Sequence, residues 1–147
     1  MSDRHVIPGL EDVLAAKSAV SFIDGKRARL EYRGIPVEVL ARESCFEETA
    51  WLLLKGNLPT QRELADFDRS LRESRSIHFR LKDLIKCMPP SGHPMDALQA
   101  SISALGMYTA ERHVTNPAAN WKAVVRLIAA MPTLVAAFAR VRNGDEI

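Results

Sequence analysis

One stretch limits the fold more than any other. From Ala97 to Met107 the chain reads ALQASISALGM, with no charged side chain. Ala97, Ala100, Ser101 and Ala104 recur at helical spacing and share a face, while Met95, Leu98, Ile102 and Leu105 cover another. A helix that is small or apolar nearly all round is buried on most sides. Its small side chains also let a second helix approach closely. The chain must therefore surround this helix with helices of its own, or bury it against a second subunit.

The same stretch opens on SGHPMD, which places His93 beside Asp96. Pro94 suits the first helical position, where its missing N–H costs nothing. Asp96 then falls in the first turn, where a carboxylate gains about 0.3–1 kcal/mol from the helix dipole. Both residues are explained as a helix start, without an acid–base role.

The rest of the chain agrees with a helical surround. Its 147 residues suit one domain spanning 1–147, large enough to bury most of a core. Hydrophobic residues at 47% and charged residues at 26% give an ordinary globular balance. The first 18 residues read as an irregular lead-in, with a short amphipathic turn at 10–16. One strand pair is predicted at about 19–33, where Val20, Phe22, Leu30 and Tyr32 alternate with polar residues around Asp24-Gly25.

Everything after the hairpin reads as helix, at about 36–42, 45–55, 61–75, 77–88, 94–110, 117–130 and 132–143. Ser44 and Glu47 fit a capping box, as do Thr60 and Glu63. Gly56 is placed to end the second helix. Leu64, Phe67 and Leu71 mark one face of the third; Ile77, Leu81, Leu84, Ile85 and Met88 point inward from the fourth. Pro89-Pro90 stop that helix, and Pro132 is expected to separate the last two. The predicted class is all-α with one small N-terminal β-hairpin.

Chemistry is harder to find. The four histidines, His5, His78, His93 and His113, include no i, i+4 pair of the zinc-binding kind. There is no Gly-rich phosphate loop and no nucleophile elbow. Cys45 and Cys87 match no metal spacing and read as free thiols of a reducing cytoplasm. No catalytic, cofactor-binding or metal-binding residue is assigned. A net charge of +2 does not argue for nucleic acid. No uninterrupted apolar run reaches the ~18 residues of a membrane span, and 1–13 lack the pattern of a signal peptide. From Arg112 to Gly144 the only charges are basic: Arg112, Lys122, Arg126, Arg140 and Arg142. They read as a solvated or ion-paired face, or as an anion site.

Four blocks in order now carry a resemblance: PGLEDVLAAKSAVSFIDGKRARLEYRGIPVEVLA, SCFEETAWLLLKGNLPTQRELADF, SGHPMDALQASISALG and NPAANWKAVVRLIAAMPTLVAAFARVRNG. The chain resembles the N-terminal part of the citrate synthase and 2-methylcitrate synthase family, from about Pro8 to Gly144. The resemblance implies the N-terminal portion of that family's large domain. It also implies a parent acyltransferase that condenses acetyl-CoA or propionyl-CoA with oxaloacetate. The coenzyme A thioester is substrate there, not a bound cofactor.

The family's two histidines and one aspartate lie in later motifs: a His before Gly-Gly-Ala, Gly-Phe-Gly-His-Arg, and an Asp-Phe-Tyr-like segment. None occurs in these 147 residues. The expectation is therefore an inactive portion of such an enzyme, the alternative being a non-catalytic oligomerisation module. The family's antiparallel interface helices imply a homodimer through Met95, Ala97, Leu98, Ala100, Ser101, Ala104 and Leu105. Arg126 matches an arginine that helps bind inhibitory NADH in some larger members. Ala130 stands where the companion lysine would be.

Overall fold

The computed structural model describes residues 17–108 and 115–147. The expected lead-in up to residue 16, the end of the 94–110 helix, His5, Arg112 and His113 lie outside the described residues. The chain divides into two compact units, 1–64 and 65–147, taken in turn.

In the first unit, β1 (Ser21–Asp24), β2 (Arg29–Tyr32) and β3 (Ile35–Pro36) form an antiparallel sheet in the order β1-β2-β3. Asp24 holds the first turn, its Oδ1 accepting the N–H groups of Lys26 at 3.1 Å and Arg27 at 3.2 Å. The second turn and β3 were not foreseen. Arg33 and Gly34 link Tyr32 to Ile35 with φ of 51° and 82°. Positive φ at both central residues is what a tight primed hairpin turn requires.

Then follow α1 (Val37–Glu43) and α2 (Phe46–Lys55), whose Leu40 and Leu52 are buried. The α2 cap falls one residue later than expected. Cys45 is the N-cap and Glu48 is at N3, with the Glu48 carboxylate accepting both the Cys45 N–H and the Ser44 hydroxyl. Gly56 ends α2 in the left-handed region at φ 92°. The Arg33 guanidinium donates to the Leu53 carbonyl of α2 at 2.8 Å and to the Ala19 carbonyl at 3.3 Å. It ties the sheet to the last turn of that helix.

The start of α3 (Gln61–Glu73) is the expected capping box. Thr60 N–H donates to Glu63 Oε2 at 2.8 Å, and Glu63 N–H to Thr60 Oγ1 at 3.3 Å. The Thr60 backbone bond, with the Thr60 hydroxyl and the nearby Lys55 ammonium, holds the Glu63 carboxyl below the ordinary glutamate range, against the opposing pull of desolvation.

In the second unit the inward residues of α3 are Phe67 and Leu71. The Phe67 ring lies 5.7 Å from that of Trp121. The main core forms where α4 (Phe79–Lys86), α5 (Pro94–Met107) and α6 (Pro117–Arg142) meet. Ile77, Leu81 and Ile85 pack there with Ala97 and Leu105 of α5 and with Ala130, Leu134, Ala137 and Phe138 of α6. Leu84 departs from its expected inward position and is 42% exposed. Helix α4 is also shorter than its predicted 77–88, so Ile77 is buried from the preceding loop.

The larger correction is at Pro132. Instead of two helices, 117–130 and 132–143, one helix runs unbroken over 26 residues, about 39 Å at 1.5 Å per residue. Pro132 sits on the exposed face, where the carbonyl of Ile128, one turn earlier, can turn to water. Thr133 follows and donates its hydroxyl to the Arg75 carbonyl at 3.1 Å. Being continuous, α6 is long and apolar enough to cross a membrane by length and composition. Here its buried face instead forms the core with α4 and α5.

Candidate functional site

The seven expected interface residues separate into two sets on α5. Ala97, Ser101 and Leu105 are buried within the chain, the Ser101 hydroxyl donating to the Ala97 carbonyl at 2.7 Å. Leu98 and Ala104 are half-buried against the same core. Met95 and Ala100 are exposed, on a stripe that continues through Gln99, Ser103, Gly106 and Met107. Close approach at the buried small residues is thus made by the chain's own helices. The outer stripe is small and uncharged from Gln99 onward, with Met95 and Met107 the large apolar side chains at its ends, 60% and 75% exposed. Its neighbours on α6 are of similar character, with Leu127, Met131 and Val135 exposed at four-residue spacing.

The histidines within the described residues serve as helix caps. His93 Nδ1 accepts the Met95 N–H at 3.2 Å, and His78 Nδ1 accepts the Arg80 N–H at 3.2 Å. Sequence reasoning placed Pro94 at N1 but missed this use of the histidines. The available signal was a histidine one residue before each helix start. His93 and Asp96 do come to one place, at the rim of a cleft of about 280 Å³ whose walls include Met88, Pro89, Ala100 and Phe138. With Nδ1 occupied, His93 can offer only an N–H from Nε2. The apolar walls bring no further catalytic group. Among the described residues, no three His, Cys, Asp or Glu side chains gather as a metal site.

The basic run is spent on chain architecture. Arg126 Nη1 donates to the Tyr108 carbonyl at 3.3 Å, Arg140 to the Glu146 carbonyl at 2.7 Å and Arg142 to the Pro90 carbonyl at 3.1 Å. Ala130, where a lysine would complete the NADH pattern, is buried in the core at 1% exposure. These placements favour the structural reading of the basic residues over an anion site.

Comparison with known proteins decides the lineage. The family model described as "Citrate synthase, C-terminal domain" matches residues 9–147. The chain belongs to the citrate synthase family. A citrate synthase of Synechocystis is 49% identical over 147 residues, covering 99% of this chain and 37% of that relative. The citrate/2-methylcitrate synthase of Bacillus subtilis is 33% identical, covering 97% and 38%. Among solved structures, the citrate synthase of Pyrobaculum aerophilum superposes with a TM-score of 0.87 at 35% identity, over 97% of this chain and 38% of that one. That of Thermotoga maritima gives 0.81 at 33% identity, over 95% and 36%. The helical fold with its small sheet is thus the fold of these synthases. The chain spans somewhat over a third of the length of the relatives it matches.

Proposed function

We propose that this chain forms the N-terminal scaffold of a citrate synthase-type acyltransferase and does not itself catalyse the condensation. The order of the four sequence blocks supports its N-terminal place. The observation that carries the reading is the fate of the histidines. His78 and His93 are engaged as helix caps, in a chain that follows solved citrate synthases over nearly its whole length. A reaction that removes a weakly acidic C–H proton and stabilises an enolate needs a positioned base and a preorganised donor. The complete enzyme would take acetyl-CoA or propionyl-CoA with oxaloacetate, the thioester being substrate and no cofactor being held. The two free thiols, Cys45 and Cys87, suit a reducing cytoplasm. The direct test is release of coenzyme A by the purified 147-residue chain from either thioester plus oxaloacetate. Release at the blank rate is expected; turnover well above the blank overturns the proposal.

A second reading has its own support. The outer stripe of α5 and the exposed Leu127, Met131 and Val135 of α6 suit a self-associating module. On this reading a homodimer forms through α5, with Met95 and Ala100 meeting the partner and Ala97, Ser101 and Leu105 serving the chain's own core. Sedimentation of the chain is expected to give a dimer that Ala100→Arg dissociates. A monomer at high concentration, or a dimer indifferent to that change, removes this reading.

A further inference from the structure

We propose that His78 makes the α4–α5–α6 cluster acid-sensitive, by capping α4 only while its imidazole is neutral. The Arg80 N–H is satisfied by a lone pair on His78 Nδ1 at 3.2 Å. Protonation replaces that lone pair with a second N–H, so donor faces donor, and it adds a positive charge at the positive end of a helix. Histidine is the side chain whose charge changes between about pH 5 and 8.

The surroundings do not supply a compensating anion. The His78 ring stacks on Tyr108 at 4.5 Å between centroids and lies 4.5 Å from Phe79. Arg80 lies over the Phe79 ring, and Arg126 of α6 donates to the carbonyl of Tyr108. Arg75 precedes His78, its carbonyl taken by Thr133 of α6. On α4 itself Lys82 and Asp83 follow, and the first turn holds no acidic residue. Among the described residues no carboxylate bonds to the His78 imidazole.

The second capping histidine provides an internal comparison. His93 makes the same bond, to the Met95 N–H at 3.2 Å, but α5 carries Asp96 in its first turn. A carboxylate there offsets an imidazolium, so His93 is the weaker acid trigger. The consequence reaches the core because α4 supplies Leu81 and Ile85, both 0% exposed, to the packing against α5 and α6. Loosening the first turn of an eight-residue helix loosens much of what holds those side chains.

The test follows the capped amide and the unfolding equilibrium in the intact chain. Amide resonances of Arg80 and Met95 and urea unfolding are recorded at about pH 7.5 and about pH 5.5, across the histidine range. The wild type is compared with His78→Asn, His93→Asn and His78→Ala. In the wild type the Arg80 amide is expected to shift in step with the His78 ring protons. The folding constant should fall about tenfold more between the two pH values than in His78→Asn, since asparagine caps without titrating. His93→Asn is expected to keep most of the wild-type loss. His78→Ala should be weak at both pH values and nearly flat between them. An Arg80 amide that does not move with pH in the wild type overturns the proposal, a result that needs no variant to fold. A His78→Asn chain that loses as much as the wild type overturns it equally.

Discussion

Replacing Pro132 with alanine tests whether α6 is one helix. Proline inside a helix costs about 3 kcal/mol relative to alanine, for the lost N–H donor and the ring's clash with the preceding turn. At position 132 the ring faces outward, so alanine removes no core contact and gives the Ile128 carbonyl back its donor. Against this gain, alanine leaves the unfolded chain freer, at a cost of about 0.4–1 kcal/mol. The net expectation is about 2 kcal/mol of added stability, or roughly 4–8 °C in Tm for a chain of this size. Urea unfolding followed by helix ellipticity measures it. The midpoint should rise while the slope stays unchanged, because the same surface is buried. If Pro132→Ala destabilises the protein or lowers the slope, Pro132 occupies a true break between two helices, and the continuous packing of Ala130, Leu134 and Phe138 is wrong.

Other substitutions probe separate parts of the structure by the same unfolding measurement. Leu81→Ala, at 0% exposure, should cost about 3 kcal/mol, while Leu84→Ala on the same helix, 42% exposed, should cost under about 1 kcal/mol. Gly56→Ala forces a side chain into φ 92° and should cost about 1–2 kcal/mol. The Glu63 carboxyl is depressed by its Thr60 bonds. Its capping contribution is therefore full above the ordinary glutamate value of about 4.3 and lost as pH falls through the lower folded-state value. Glu63→Gln should remove that part of the acid slope, and an unchanged slope would show that the Thr60–Glu63 box carries no linkage.

Where local chemistry decides structure, the sequence was legible. Thr60 and Glu63, Gly56 and Pro94 announce helix ends by the bonds they can make or lack, and each stands where expected. The Asp24-Gly25 turn is visible for the same reason. The Ser44 assignment slipped by one residue because Glu47 and Glu48 are both able to close a box, and only the three-dimensional path selects Glu48. Pro132 misled because a proline is tolerated on the solvent face of a helix that packing holds on the other side. The small-residue face of α5 marked burial correctly but could not say by what. Ala97 and Leu105 meet α4 and α6, while Ala100 faces out. Periodicity gives the face of a helix, not the identity of its neighbour. The histidine caps stayed hidden because their signal lies in one ring nitrogen's lone pair rather than in residue spacing.

The Arg33 tie has a consequence for the order of events during synthesis. Every pairing in the sheet joins neighbours along the chain, and the arginine finds its farther carbonyl only 20 residues on, at Leu53. Short loops close quickly and cost little entropy. The sheet, α1 and α2 can thus complete these bonds while α5 and α6 are still inside the ribosome. The positive φ at Arg33 and Gly34 then acts as an early commitment, holding β3 in register before any long-range packing exists to correct it.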